Sequence, residues 1–583
     1  MLFFGEVPKD DSDGLQHFSL SKESWNQADL FLAHWGKPFF ILFSSAFSQF
    51  GFYGYILFNI LVYVVSCRIV LKILEHYETP GIIGLLFPLA LITIPDYSYS
   101  IVGGMTEPFF GLILLFLFLL AINEKWFWFS ILISFTPFAR SEGMLLVLAA
   151  VPYLLLLRKW KYIPLILTGF VVYAFVGWII LEQPLWYFEN DPYPEISIYG
   201  SGPWHTYITS IFNHTGLIAV VFAPIALFGL LVWRSKGKRS DLIHILFFSG
   251  IYLGIIVIHS YLWAKGLRGA LGLSRLGTLG LLPLLVIECV SLGFVLRELN
   301  KMVHAFVALC IGLLIFREIM QLDLPAKATI QQKTLLETSI YLKNNQDKAG
   351  TIYYFHPMIG YYFGLTTKSQ NKKFQHRYIH LKKDAERLFM PGDLIVRDSK
   401  FGALEQGLPL EDLKKYPWII PVKHFYIPHF YVEASGEAQS VIVYEVMDKT
   451  TFNRSKWENK RKLIETKFNK KPVDTKGTIT TEFFGIDTLL KLPELYGPRQ
   501  ELVCRYSLIT KGNLPIHVIF NSESGYYVSV PLDPEKQEVV LPFVTGNIEG
   551  VLFIHNPNKQ PYQLIFEQKS WRQTLDSGIQ SVK

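Results

Sequence analysis

Four acidic or polar residues in a row, Asp10-Asp11-Ser12-Asp13, are followed about twenty residues later by His34-Trp35-Gly36-Lys37-Pro38. A carboxylate in such a segment is a candidate general base for an acceptor hydroxyl. Two or more of them are candidate oxygen ligands for a divalent cation, magnesium or manganese. The competing reading is a solvated, frayed chain end. The histidine, the lysine and the aromatics close by favour chemistry and mark His34 and Lys37 as candidate substrate-binding residues. A second acidic stretch, Asp96-Tyr-Ser-Tyr-Ser-Ile-Val-Gly-Gly-Met-Thr-Glu107, contributes Asp96 as a catalytic candidate and Glu107 as a substrate-binding one. Its Gly103-Gly104 pair permits close approach to backbone. Cationic candidates come later in the chain. Arg140, a candidate phosphate ligand, stands in Arg140-Ser141-Glu142-Gly143, where the alternative is an Arg–Glu pair that satisfies only itself. Lys265, Arg268 and Arg275 fall in a glycine-rich stretch, Lys265 to Gly277. That pattern suits an anionic headgroup such as a phosphate; the alternative is snorkelling to lipid phosphates. His205 and His214 are weaker candidates. No Walker loop, zinc-type His/Cys spacing or Gly-x-Ser-x-Gly occurs, which removes support for ATPase and serine-hydrolase chemistry.

What must position these residues is a membrane domain. The 583 residues are 51% hydrophobic and only 18% charged, against about a quarter charged in soluble domains, and the apolar excess precedes residue 320. About ten crossings are expected, near 52–73, 82–95, 106–122, 126–139, 143–157, 161–181, 215–233, 241–262, 276–296 and 301–317. Pro88, Pro95, Pro137 and Pro152 fall in or beside the short ones, which read as half-spans or as spans extended by polar flanks. Lys37–Gln49 is apolar but short and reads as interfacial or re-entrant. Met1–Gly5 is too short for the apolar core of a signal peptide, so the first crossing is expected after the acidic cluster unless a helix precedes this sequence.

Basic residues concentrate in alternate loops, at Lys72–Glu78, Glu124–Lys125, Arg158–Lys161, Arg234–Arg239 and Arg297–Lys301. The positive-inside rule puts these in the cytoplasm. The acidic segment, the long 182–214 loop and the C-terminal tail then face outward. The net charge of +7 is spread among acids, with no Arg–aromatic stripe, so nucleic acid is not an expected partner. Cys67, Cys289 and Cys310 lie in apolar runs, leaving Cys504 alone in the tail, and no disulfide framework is expected.

The expected organisation is an exported acidic segment with an interfacial helix (1–51), a polytopic α-helical membrane domain (52–317), an exported α/β domain (318–448), a basic linker (449–476) and a β-sandwich (477–583). The α/β reading rests on an amphipathic helix at Gln331–Asn345 and short strands at Thr351–Phe355, Asp393–Asp398 and Ser440–Val446. Seven short β runs from Thr478 to Gln568, separated by polar turns, favour the sandwich.

An outward acidic motif, a second acidic loop, an Arg-x-Glu-Gly segment and a late arginine before an apolar span, in that order, resemble the GT-C superfamily of membrane glycosyltransferases. That group includes protein mannosyltransferases and bacterial lipid A aminoarabinose transferases. The resemblance covers residues 1–317 and the exported tail; the family's first-loop motif is commonly Asp-Glu, whereas this chain has Asp-Asp-Ser-Asp. The Lys/Ile/Phe-rich composition and the lack of an exported disulfide framework point to a bacterial member, for which the resemblance implies an inner-membrane enzyme with periplasmic C-terminal domains. It further implies inverting transfer of a sugar from a polyprenyl-phosphate donor to a glycan, lipid or protein acceptor. Asp11 would be the base, with Asp10 and Asp13 as near alternatives and Asp96 as the second-loop acid. Arg275 and Arg268 would meet the donor phosphate. The rivals are a transporter or flippase of lipid-linked sugar, which predicts inverted repeats and broken helices at the midplane, though the sequence has no corresponding halves, and a glycan polymerase or ligase.

Overall fold

The structure is a computed structural model that describes residues 7–10, 12–236, 239–297, 299–322, 327–402, 405–413, 415–426, 440–450, 476–481, 485–495, 500–510, 516–522, 527–535, 537–543, 548–556 and 562–573. Asp11 and most of the expected linker at 449–476 lie outside the described residues. The chain divides into two compact units, 1–328 with 365–369, and 329–364 with 370–583.

The first unit is helical. In order it contains α1 (Asp13–Glu23), α2 (Pro38–Ser48), α3 (Gly51–His76), α4 (Gly81–Ile92), α5 (Pro95–Val102), α6 (Glu107–Ile122), α7 (Trp126–Ser134), α8 (Thr136–Ala139) and α9 (Gly143–Leu156). It continues with α10 (Thr168–Leu181), α11 (Trp186–Glu189), α12 (Thr206–Thr209), α13 (Ile211–Thr215), α14 (Leu217–Lys236), α15 (Arg239–Lys265), α16 (Leu281–Arg297) and α17 (Lys301–Ile319). Short 3-10 helices occupy Ala28–Leu32, Trp160–Leu167 and Ser274–Thr278.

Among the described residues, four stretches are long and apolar enough to cross a membrane: Gly51–His76, Trp160–Leu181, Ser240–Lys265 and Met302–Ile319. Helices α4 and α5 make a fifth only if counted as one span bent by 68°. Pro95 at the start of α5 lacks an N–H for the helical ladder, which is why the apolar run breaks there rather than continuing. Pro137 divides the expected 126–139 span into α7 and α8 by the same effect. Other apolar runs form shorter helices, among them α2, α6 and α9. Large side chains such as Val171, Trp178, Val257, Met302 and Phe306 point outward from the long helices, the pattern of a lipid-facing surface. Helix α6 is the opposite: most of its residues are buried, Glu107 to Leu115 without a break.

The second unit opens with α18 (Ile330–Asn345), whose start is a capping box between Thr329 and Gln332. It continues through β1 (Ile352–Tyr354), α19 (Pro357–Tyr362), β2 (Phe374–His376), α20 (Leu381–Arg387), β3 (Leu394–Asp398), α21 (Leu410–Leu413), β4 (Ile419–Tyr426) and β5 (Ser440–Val446). These strands form one mixed sheet in the order β2-β1-β3-β5-β4. Strand β1 runs parallel to both β2 and β3, and β5 runs antiparallel to its neighbours. Short loops and helices between the parallel strands give the α/β character that the alternating sequence pattern predicts.

Strands β6 (Lys476–Thr481), β7 (Gly485–Leu495), β8 (Gln500–Thr510), β9 (Ile516–Ser522), β10 (Tyr527–Leu532), β11 (Glu538–Phe543), β12 (Ile548–Asn556) and β13 (Tyr562–Gln573) follow. They form two four-stranded antiparallel sheets, β10-β9-β12-β7 and β11-β8-β13-β6. Val518, Leu532, Val539 and Leu564 are buried between polar turns, the alternation of a two-sheet β fold. The architecture is a polytopic helical domain followed by sheet-containing domains.

Candidate active site

Asp10 is buried and engaged on both oxygens. Its Oδ1 accepts from the N–H of Ser12 at 2.9 Å and of Gly14 at 2.8 Å, so it caps the start of α1 from two residues before Ser12. Its Oδ2 accepts from the Tyr99 hydroxyl at 2.5 Å. Gly14 makes this join possible. A Cβ there would lie 1.8 Å from the Gly103 carbonyl oxygen, so only a glycine lets α1 begin against the end of α5.

The loop after α5 is held by α3. The Tyr55 hydroxyl donates to the Gly104 carbonyl at 2.6 Å, and the Asn59 amide donates to the Met105 carbonyl at 3.0 Å. Gly104 sits at φ +74, a conformation that glycine adopts without strain. This fixes Thr106 and Glu107 at the mouth of α6.

Around that point runs a line of alternating charges. Arg275, from the Ser274–Thr278 turn, pairs with Asp13 through Nη2. Its Nε lies 3.8 Å from Glu107 Oε1, within ion-pair range, but has no hydrogen-bond partner among the described residues. Its Nη1 points at the Met105 Sδ, 2.8 Å away, a weak acceptor. Glu107 is paired in turn with Arg140 at 3.3 Å. Arg140 forks onto both oxygens of Glu142 at 3.2 Å and donates to Thr106 Oγ1 at 2.7 Å. Glu142 completes the line with His259 Nε2 of α15, 3.0 Å away. Burial alone would lower the Arg275 pKa, but Glu107, Asp13 and Asp10 outweigh it and hold the guanidinium firmly charged. Burial would likewise raise Glu142, yet Arg140 and His259 hold it well below the usual carboxylate range. Buried charges persist only in such company.

A second group gathers on the loop between α10 and α14. Lys37 has φ +66 and precedes Pro38 at the first turn of α2. Its ammonium donates to the Tyr193 hydroxyl at 2.6 Å and is 5.0 Å from that ring. Lys37 is 4% exposed, and among the described residues no carboxylate pairs with it. His34 stacks on Tyr187 with centroids 4.2 Å apart; burial and Lys37 push it down to about 4. Arg268 is half-exposed and pairs with Asp191 at 2.6 Å. Its segment is tied to this loop by Ser197 N–H to the Gly266 carbonyl and Arg268 N–H to the Glu195 carbonyl.

The buried His17 ring links the groups electrostatically. Burial pushes it down to about 3; Asp13 opposes this, and Lys37, Arg140 and Arg275 add to it. Three cations therefore act on one imidazole, which stacks on Trp35 at 4.5 Å.

Of the residues expected from sequence, Asp13, Glu107, Arg140 and Arg275 come together in one contiguous network. Asp96 approaches it, near Ser274 and within Coulomb range of Arg275. Asp96 and Tyr99 also line a cavity of about 340 Å³ with Lys9, Glu318 and Gln321. Lys37 and His34 form the second group. Arg268 is engaged by Asp191 instead of standing in the network with Arg275. Lys265 is an exposed residue ending α15. Among the described residues no group of three or more His, Cys, Asp or Glu side chains is arranged to hold a metal ion. Asp10, Asp13 and Glu107 are instead engaged by Tyr99, Arg275 and Arg140 respectively.

Sequence reasoning missed His259, Tyr99 and Tyr193. His259 had a signal, being an ionisable residue within a long apolar run. The tyrosines had none beyond their place in loops expected to face outward.

No protein-family model matches the chain, and no curated protein does. Among solved structures it is similar to ArnT from Cupriavidus metallidurans bound to undecaprenyl phosphate, at 12% identity over 76% of this chain and 96% of that one, with a TM-score of 0.45. ArnT in the apo state gives the same identity and TM-score, over 95% of its length. Arabinofuranosyltransferase AftD from Mycobacteria is similar at 10% identity, covering 92% of this chain and 54% of that one, with a TM-score of 0.38.

Proposed function

We propose that this chain is a membrane glycosyltransferase that moves a sugar from a polyprenyl-phosphate donor to a hydroxyl acceptor on the outer face of a bacterial inner membrane. One observation carries the reading: among the described residues the buried Arg275 guanidinium has an Nε without a hydrogen-bond partner and an Nη1 turned to a thioether. A buried cation with spare donors, beside an acidic segment, suits a leaving phosphate flanked by a general base. Lys37, buried and among the described residues hydrogen-bonded through its ammonium to the Tyr193 phenol, adds a second site for negative charge.

In this mechanism the acceptor oxygen attacks the anomeric carbon while a carboxylate of the Asp10–Asp13 segment takes its proton. The bond to phosphate breaks on the opposite face, so configuration inverts. Arg275 meets the charge that develops on the departing oxygen. Asp11 is the base implied by the family resemblance, with Asp10 and Asp13 as neighbours. Asp10 serves first as the cap that holds the segment in place. No step is assigned to a divalent cation.

The test is transfer of radiolabelled sugar from polyprenyl-phosphate donors in membranes containing the protein. Arg275→Ala and Asp11→Asn are each expected to lower transfer at least 100-fold with expression intact. Full activity in either variant overturns the assignment of that residue. The 68° break between α4 and α5 favours one second reading, a transporter of lipid-linked sugar. Movement of labelled lipid across the membrane without a new glycosidic bond would select it.

A further inference from the structure

Helix α16 carries a carboxyl group that the mechanism above does not use. Glu288 stands seven residues after Leu281, where α16 begins. It therefore lies about 10 Å along the helix from the end that follows the Arg275 turn. Among the described residues Glu288 takes part in no hydrogen bond or ion pair, and its Oε1 is buried. Glu107 and Glu142, by contrast, are each paired with Arg140. An apolar side chain of similar size would cost less at such a depth, so stability does not account for Glu288.

Glu288 lines a cleft between α4, α14, α16 and α17, whose walls include Ile83, Phe87, Phe222, Leu285 and Ile311. Its free volume is about 70 Å³, several times the roughly 10–15 Å³ that one water needs. Water is nonetheless a poor occupant, because a buried water needs about two to four polar partners. The Thr93 hydroxyl donates to the Ala90 carbonyl at 2.8 Å, and the Thr215 hydroxyl lies 3.1 Å from that of Tyr252. Apart from the weakly polar Cys289 thiol, Glu288 is the one polar side chain of the described lining that is not engaged in this way. No Lys, Arg or His lines the cleft among the described residues, so a phosphate has no cation to meet there. What fits is a hydrocarbon chain carrying an uncharged hydrogen-bond donor for the Glu288 carboxyl oxygen.

We propose that this cleft is a lipid site separate from the one at Arg275: it takes the chain of a neutral, hydroxyl-bearing lipid, whose hydroxyl donates to Glu288. The proposal does not depend on the glycosyltransferase reading.

The experiment photolyses a hexadecanol bearing a diazirine with the full-length protein in phosphatidylcholine nanodiscs and maps the crosslinked peptides by mass spectrometry. Crosslinks are expected on α4, α14, α16 or α17, and free hexadecanol is expected to suppress them at least tenfold where hexadecane does not. Glu288→Leu is expected to lose labelling at least tenfold. Glu288→Gln, which keeps a carbonyl acceptor, is expected to stay within threefold of wild type, and Arg275→Gln to label as wild type does. Equal labelling of Glu288→Leu and wild type, or equal competition by hexadecane, overturns the proposal, since the cleft then takes any chain. Lost labelling in Arg275→Gln overturns the separateness of the two sites. Stronger competition by hexadecylamine than by hexadecanol overturns the hydroxyl and gives the site to a cation. Either 1,2-dioctanoylglycerol or farnesol is expected to compete, and the stronger of the two tells a glyceride source of the hydroxyl from an isoprenoid one; competition by neither overturns the proposal as well. Glu288→Leu is also expected to unfold at the wild-type temperature or above, because it removes an unpartnered polar group from apolar surroundings. A lower midpoint makes Glu288 a structural residue and overturns its role in binding.

Discussion

Arg140 was a candidate phosphate ligand, yet its donors are spent on Glu142, Thr106 and Glu107. Its chemistry is that of a positioning residue: it keeps Glu107, and through it Arg275, in place. Removing one partner from a buried ion pair costs about 3–5 kcal/mol, so Arg140→Ala is expected to lower the thermal midpoint sharply. Arg140→Lys is expected to recover only part of this, because an ammonium lacks the planar fork that fits both Glu142 oxygens. A differential scanning measurement in detergent that finds either variant as stable as wild type would contradict the network's role. The histidines give a pH signature. His17 and His34 are pushed down to about 3 and about 4, from an ordinary 6.5. Between those values and 6.5 the unfolded chain binds protons that the folded one refuses, so stability falls as pH falls, by up to about 1.4 kcal/mol per unit for each fully buried site. Above pH 6.5 neither contributes. His17→Phe is expected to flatten the loss between pH 6.5 and 4; an unchanged slope of unfolding midpoint against pH would count against it.

At the scale of elements, the contact of α1 with α5 sets the geometry of the acidic segment. Gly14→Ala would drive a methyl into the Gly103 carbonyl, and backbone on both sides must part to admit it. Asp10 and Asp13 lie on the moving side, so transfer is expected to fall at least tenfold. Gly250→Ala on α15, where a Cβ meets nothing within 4 Å, is the matched control and is expected to leave transfer unchanged. Equal activities in the two variants would remove the α1–α5 contact from the argument. This contact also marks the limit of what the sequence told. The acids, the late arginine and their order along the chain were legible because charge stands out against apolar runs. That Gly14 meets Gly103, that Asn59 anchors the Met105 carbonyl, and that Glu142 reaches His259 were not, since each joins residues dozens of positions apart through packing rather than pattern. The breaks at Pro95 and Pro137 were marked by the prolines themselves, but a proline does not declare the angle at which the chain resumes. The two antiparallel sheets of the tail followed their turn signals. Their strand order did not, because it depends on which edges pair after the chain collapses.

Across the helical unit, contacts between loops bear on sidedness. Loops expected on one face should meet one another and not those of the opposite face. Glu124 pairs with Lys159 at 3.3 Å, and Arg297 donates to the Tyr77 and Glu78 carbonyls; all four loops belong to the basic set. Asp191 pairs with Arg268, Ile196 bridges Leu267, and Asp13 pairs with Arg275; these are the acidic and glycine-rich segments expected outside. A helical bundle folded with one span miscounted would mix the two sets. The positive-inside rule then gives the sets their direction, which predicts a labelling result. In a variant with Cys67, Cys289, Cys310 and Cys504 replaced by serine, a single cysteine at Ser201 is expected to react with a membrane-impermeant maleimide in intact spheroplasts. A single cysteine at Lys159 is expected to react only after permeabilisation. Labelling of both from the same side would break the alternation. Labelling in the reverse sense would put the acidic segment and Arg275 in the cytoplasm, where an acceptor on the outer face has no access to them.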